Sequence, residues 1–405
     1  MIRYPTMRAE GNSSVVKMGK SPIIAAYYYP GWHASEGRQI RGGTTEWELL
    51  YDDVSRRAYP HVRRPLEGAV EPSVQSIEAE IGQAMTGGID SFWWCWYWDR
   101  GRLLLNEALD MFLHCRIPAD FRYALMWVNK RPHFRLPAEA PWSKAFDRSR
   151  LIETDEDDFA AMIRHLIERH FERGNYLRVD DRPVLSIFSI EPLIRQHGVR
   201  RLRELLAMGQ RMARVAGLRG IHYVAVIHRA EVRSPWLRRL GLAKWARPAP
   251  LREIGFSAVT TYIYLPDWEG PQRQNYAQLV EKRAAEWPRF KEKYELSFWP
   301  SVAPGWDARV RGVPLDPLPA AHPWSPVIED ETPGAFESWL GHWKELSASE
   351  GGIPVLPVCS WNEWTEGHAV APCTRHGDAM LAALRRFKDS FSPAAATRTA
   401  ASGTR

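Results

Sequence analysis

Apolar residues along this chain gather into eight short, nearly unbroken runs separated by stretches of helical period. The runs lie at 23–30, 89–98, 123–129, 183–189, 221–228, 256–265, 297–304 and 353–361. They are short and lack the alternation of a half-exposed strand, so each reads as a parallel strand covered on both faces. Between them, segment 73–85 opens on Ser73 as an N-cap, spaces Ile77 and Ile81 four apart and stops at Gly87-Gly88, which is how a capped helix begins and ends. Segment 154–174 opens on Thr154-Asp155-Glu156-Asp157 and carries Phe159, Met162, Ile163, Leu166 and Ile167 at helical spacing. Further helices are expected at 199–216, 274–294, 332–346 and 376–391; the third of these starts Thr332-Pro333, with proline at its first position. After the fifth run, Pro235, Gly241, Pro248 and Pro250 interrupt the pattern and the expected helix is weakest.

Eight strands alternating with helices predict an α/β fold, a single (β/α)8 TIM barrel over residues 23–391 with long βα loops on its catalytic face. A doubly wound open sheet would alternate in the same way, but the first turn, Pro30-Gly31-Trp32-His33, lacks the glycine fingerprint of a dinucleotide site. Residues 1–22 read as a flexible N-terminal segment and 392–405 as a disordered tail.

Composition narrows the function. No run among the 405 residues approaches the length of a membrane span. Four cysteines without metal-finger spacing, and a start without an apolar leader, lead to the expectation of a cytoplasmic protein with reduced thiols. Cys95 and Cys359 sit in apolar runs and read as core. The net charge of +6 comes from arginines scattered over helical segments, so no nucleic-acid partner is expected. Tryptophan is the outlier, at 19 residues. Indoles are costly to bury without a partner for the N–H, and such a surplus suits a carbohydrate groove, although packing in the core accounts for many of them.

In a barrel the C-terminal ends of the strands face the active site. Those ends carry Tyr28, Tyr29, Trp32 and His33; Trp96, Tyr97, Trp98 and Asp99; Trp127, Asn129 and Lys130; Glu191; His228; Tyr262 and Tyr264; Trp306 and Asp307; and Ser360-Trp361-Asn362-Glu363-Trp364-Thr365-Glu366-Gly367. The last segment places two carboxylates three residues apart between indoles, directly after a buried strand. Neighbouring carboxylates in a partly dry pocket split their pKa values, so one keeps a proton while the other stays charged. That is the division of labour glycoside cleavage needs. His33 reads equally as a sugar ligand or a loop cap, Asp307 as a ligand or a turn cap, and Glu46 in the first loop as structural. No cofactor or metal is expected, since no metal triad, nucleophile elbow or phosphate loop occurs.

At these residues the chain resembles the glycoside hydrolase family 99-like group, including WbsX-type proteins. The matching pieces are Tyr28-Tyr29-Pro30 with His33, Thr45-Glu46-Trp47, Gly88-Ile89-Asp90-Ser91-Phe92 leading to Tyr97-Trp98, Asp181-Arg182-Pro183-Val184, Gly305-Trp306-Asp307 and Trp361-Asn362-Glu363-Trp364-Thr365-Glu366-Gly367. The resemblance implies a metal-free, retaining endo-α-mannosidase-like hydrolase with Glu363 as base and Glu366 as acid. It further implies a 1,2-anhydro sugar intermediate, which requires a 1,2-trans axial α-glycoside such as an α-mannoside or α-rhamnoside. The implied substrate contacts are Tyr28, Tyr29, His33, Trp96, Trp98, Asn129, Lys130, His228, Tyr262, Tyr264, Trp306, Asp307, Trp361, Asn362 and Trp364. The chain departs from the family pattern at Lys130, where a glutamate is usual, and at Ala308 and Ala371. The lysine beside Arg131 suggests an anionic polysaccharide. Two rival readings are a glycosyltransferase or transglycosylase of surface-polysaccharide assembly and a non-catalytic glycan-binding barrel.

Overall fold

The computed structural model describes residues 21–35, 38–41, 43–133, 135–141, 150–227 and 250–392. All eight apolar runs are parallel strands of one sheet: β1 (Ile23–Tyr28), β2 (Ser91–Asp99), β3 (Arg122–Trp127), β4 (Arg182–Phe188), β5 (His222–Ile227), β6 (Ala258–Thr261), β7 (Ser297–Trp299) and β8 (Val355–Val358). They neighbour one another in chain order, and β1 also pairs with β8 in the register Ile23↔Val355 to Ala26↔Val358. A single bridge closes the ring between β7 and β8. In it the Val302 N–H donates to the Pro357 carbonyl at 2.9 Å and the Cys359 N–H to the Val302 carbonyl at 2.8 Å. The fold is therefore the expected (β/α)8 barrel.

The helices that follow the strands are α1 (Val74–Thr86), α2 (Glu107–Phe112), α3 (Glu156–Leu166), α4 (Ile190–Val215), α5 (Leu251–Ile254), α6 (Tyr276–Tyr294), α7 (Pro333–Ser349) and α8 (Ala379–Asp389). The capping residues set the starts. Ser73 and Ser76 cap α1 reciprocally, and the Thr332 side chain accepts the Ala335 N–H at 3.2 Å. In α3 the cap is Asp155 rather than Thr154, and the helix ends in a π-turn, Ile167–Phe171. Next to the expected start of the fourth helix, at 199, is a kink at Gly198 (φ 70°); the helix itself begins at Ile190. Among the described residues the segment after the fifth strand carries α5; residues 228–249 lie outside the described residues, as do 1–20 and 393–405.

Strand parity decides what faces the site. On alternating positions side chains point into the barrel or out toward the helices. Tyr27 and Trp93 stack inside the barrel at 5.1 Å between ring centroids, while Tyr28 and Trp94 stack at 4.0 Å on the helix side, where Trp94 meets Phe112 of α2. Most of the tryptophan surplus is spent there, on fully buried indoles such as Trp94, Trp287, Trp339 and Trp343. At the C-terminal ends of the strands the long loops are laced together. Gln39–Ile40 of the first loop pairs with Arg135–Leu136 of the third, and Arg273–Asn275 of the sixth pairs with Val327–Glu329 of the seventh.

Candidate active site

Beyond β8 the chain turns sharply. The Trp361 N–H donates to the Tyr27 carbonyl at 2.7 Å, and the Asn362 side chain clamps the Tyr29 backbone, accepting its N–H at 2.7 Å and donating to its carbonyl at 3.0 Å. A 3-10 turn follows, Trp364–Glu366, and Gly367 ends it in the left-handed region at φ 69°. These contacts aim Glu363 and Glu366 into one cleft at the mouth of the barrel, of about 350 Å³.

Between the two carboxylates lies Arg311, from the loop after β7. Its Nη2 donates to Glu363 at 2.5 Å and to Glu46 at 3.0 Å, its Nη1 donates to Glu366, and its Nε donates to the Thr365 hydroxyl at 2.8 Å. Glu46 is 1% exposed. It also accepts hydrogen bonds from the hydroxyls of Thr365 and Tyr29, each at 2.5 Å, and from Arg38 at 2.9 Å. Behind Glu366, His368 Nε2 lies 3.1 Å from its second oxygen. The remaining oxygen of Glu363, Oε2, is buried without a hydrogen-bond partner among the described residues.

The protonation states follow from these contacts. Burial pushes the Glu363 carboxyl well above its ordinary range; Arg311 opposes this, and the neighbouring charges of Glu366 and Glu46 reinforce it. Burial pushes Glu366 up too, but Arg311 and His368 outweigh it and hold the carboxyl at about 2. Glu46 is likewise buried, yet Arg311 and Arg38 bring it below its ordinary value. The two carboxyls are therefore pushed apart, Glu363 toward holding a proton and Glu366 toward its charged form. Burial keeps His368 and His322 neutral, the latter at about 4.

The cleft is walled by aromatic rings. The Trp306 indole stacks on His368 at 5.6 Å and meets Trp268 edge-on at 5.3 Å, while Tyr262 meets His368 at 5.8 Å and Phe188 at 5.4 Å. Tyr29, Tyr97, Lys130, His133 and Arg150 also line the cleft.

Of the residues proposed from sequence, Tyr29, Lys130, Tyr262, Trp306, Glu363 and Glu366 line this cleft. The others are placed elsewhere, and these are corrections. Tyr28 faces α1 and α2 by strand parity, stacked on Trp94. Trp96 and Trp98 point out onto α3; Trp96 stacks on His165 and the Trp98 indole N–H donates to Asp158 at 2.8 Å. His33 is tied to Glu107 at 2.5 Å, pinning the first loop to α2. Asn129 donates to the Ser189 carbonyl at 2.9 Å, joining the ends of β3 and β4. Tyr264 packs on Phe290 of α6 and donates to Glu286. Asp307 is engaged twice by Arg309, at 2.9 and 2.7 Å, and opens on a neighbouring groove. Trp361 packs outward on Phe92 and borders, with Asn362 and Trp364, a shallow groove behind the pair; Asn362 is a backbone clamp. His228 lies outside the described residues.

Sequence reasoning did not single out Arg311, Arg38, Cys95, Trp268, His322, Arg150 or His133. Cys95, expected in the core, is buried but borders the cleft with Tyr97, the two being the inward-facing partners of Trp96 and Trp98. A signal for Arg311 did exist: three buried glutamates require a cation, and the loop after the seventh strand supplies Arg309 and Arg311.

The solved structure of the family GH99 endo-α-mannosidase from Bacteroides thetaiotaomicron superposes with a TM-score of 0.57 over 94% of this chain and 100% of that one, at 14% identity. A GH5_18 protein from Streptomyces cattleya, in complex with Manβ1-4GlcNAc, superposes with a TM-score of 0.52 over 92% and 81% of the two chains, at 12% identity. At these identities the likeness is one of fold. Among curated proteins, the uncharacterised protein WxcX of Xanthomonas campestris pv. campestris is 23% identical over 394 residues, which is 90% of this chain and 49% of that protein. The chain thus spans about half the length of the curated relatives it matches. The family model for the glycosyltransferase WbsX matches residues 24–384, and on that match the chain belongs to the WbsX family.

Proposed function

We propose that this protein is a retaining glycoside hydrolase of α-linked glycans with an axial O2, such as α-mannosides or α-rhamnosides. One observation carries the reading: Glu363 and Glu366 meet on the single guanidinium of Arg311 and line the same aromatic-walled cleft. A retaining pair needs two nearby carboxyl groups of opposite protonation, and burial against one cation yields that split. In the order the resemblance implies, Glu363 takes the proton of the sugar 2-hydroxyl. O2 then attacks the anomeric carbon while Glu366 protonates the departing oxygen. The 1,2-anhydro sugar is opened at the anomeric carbon by water, which gives its proton to Glu366, and O2 regains a proton from Glu363. The anomeric configuration is retained.

The resting protonation favours a second order, with Glu363 as the acid and Glu366 as the base. Leaving-group dependence separates the two. Glu363→Gln and Glu366→Gln are each expected to lower turnover of an α-mannosyl oligosaccharide by about 10²–10⁴-fold. A 2,4-dinitrophenyl α-mannoside, which leaves without protonation, rescues only the variant that lost the acid. Rescue of Glu366→Gln supports the first order, and rescue of Glu363→Gln the second. Full activity of either variant would remove the hydrolase reading.

The family's description as a glycosyltransferase favours transfer as the other outcome at the same site, with a sugar hydroxyl replacing water. Anomeric NMR of products formed with and without acceptor oligosaccharide, and with sugar nucleotides as donors, distinguishes hydrolysis from transfer.

A further inference from the structure

The cleft is electrostatically uneven. Arg311 is consumed by Glu46, Glu363 and Glu366. Lys130 and Arg150 line the same cleft. The Lys130 ammonium sits 5.3 Å from the centroid of the Phe188 ring, and no carboxylate lies within ion-pair distance of it among the described residues. The charges acting on it are Arg150, Arg195 and one carboxylate, Glu191, which is too far to pair. Arg150 donates to the Arg131 carbonyl at 3.1 and 2.9 Å and to His133 Nε2 at 2.7 Å. Arg131 itself is turned away from the cleft onto Asp99 at 2.8 Å.

An ammonium with no carboxylate against it in a half-buried, aromatic-lined pocket costs free energy unless an anion joins it. The ring of Phe188 offsets part of that cost, and an aromatic wall continues from it through Tyr262 and His368 to Glu366. A sugar lying on this wall would have one end at the acid pair and the other at Lys130. Burial and Arg150 bring the Lys130 ammonium down to about 8, the direction expected of a cation still lacking its counter-ion.

We propose that Lys130 forms a subsite for an anionic substituent of the glycan, a carboxylate or a phosphate ester, on the sugar unit next to the bond cleaved. The inference rests on the hydrolase reading for the identity of that bond, but its test does not. Three α-mannosyl oligosaccharides of one sequence serve as probes: one carrying a glucuronate, one its carboxyl-reduced counterpart, and one a mannose 6-phosphate in place of the glucuronate. Binding is measured by calorimetry and turnover by anomeric NMR, for the full chain and for Lys130→Met and Lys130→Arg. The wild type is expected to bind at least one anionic probe about tenfold tighter than the neutral one. The larger ratio identifies carboxylate or phosphate. Lys130→Met should collapse the ratio to about one, and Lys130→Arg should keep most of it; a purely structural lysine would weaken all three probes alike. Equal affinities in the wild type, a ratio that survives Lys130→Met, or no binding of any probe would each overturn the proposal. Anion-selective binding without turnover would keep this subsite and remove the hydrolase reading.

Discussion

Three carboxylates around two guanidiniums leave one negative charge without a counter-ion. Glu46 touches both Arg38 and Arg311, Glu366 touches Arg311 and His368, and Glu363 has Arg311 alone. The excess charge is therefore relieved by a proton on Glu363, where the fewest contacts would be lost. The alkaline limb of the activity profile should report loss of this proton, and the acid limb, near the value of about 2 held by Glu366, the gain of a second. Glu46 acts on this balance without reaching the cleft. Its charge raises the Glu363 carboxyl directly, and it competes for Arg311, which lowers it. Replacing Glu46 by Gln removes the repulsion and frees the guanidinium, and both changes lower the Glu363 carboxyl. The alkaline limb of kcat/KM should then move down by about one pH unit, with a stability cost of about 3 kcal/mol from the partly unpaired Arg38. A limb that stays in place, in a variant whose thermal unfolding shows it folded, would remove Glu46 from the electrostatics of the pair. None of this was legible from Arg311 itself, which lies in a loop where no period marks one arginine as buried.

At the scale of the element, the strands were legible because the physics that makes them is local. A parallel strand covered on both faces must be largely apolar, and each of the eight was. The same property hid the site: in a continuous apolar run nothing shows which parity points inward. Trp96 and Trp98 were chosen over Cys95 and Tyr97 on chemistry, yet a shift of one residue moves a side chain to the other face. Tyr29 and Tyr262 fell on the inward parity, and Tyr28 and Tyr264 did not. The turn after β8 was easier to read, since a glycine ends it. Gly367 sits at φ 69°, and a Cβ there would lie 2.7 Å from the Asp307 backbone nitrogen. That contact belongs to a seam in which the Asp307 N–H donates to the Glu366 carbonyl at 2.9 Å. Gly367→Ala should therefore cost about 1–3 kcal/mol and, by displacing Glu366, lower turnover about tenfold or more. Thermal unfolding and steady-state kinetics check the two effects. An alanine variant with unaltered turnover would mean that the turn does not position Glu366.

At the scale of the whole molecule, the barrel is closed unevenly. β2 and β3 pair continuously from Ser91↔Arg122 to Trp96↔Trp127, whereas β7 and β8 share the one bridge through Val302 and Val358. Pro357 contributes a carbonyl but no N–H to that side of β8. The loops on the two sides of this seam carry the site: Trp306, Arg311 and His322 follow β7, and Glu363 and Glu366 follow β8. The seam is held across the site by Arg311, by the Asp307–Glu366 backbone bond and by the stack of Trp306 on His368. Local opening free energies track such differences in hydrogen bonding and packing. Hydrogen exchange read by mass spectrometry should therefore find the amides of Val302 and Cys359 exchanging about tenfold faster than those within β2 and β3. A saccharide seated in the cleft would contact residues of both loops, so its binding should slow exchange at the seam more than at β2 and β3. Arg311→Met, which removes one tie, should speed exchange at the seam and leave the β2–β3 pair unaltered. If the seam is as protected as the middle of the sheet with and without saccharide, closure rests on the buried core beneath it and the site exerts no hold on the barrel.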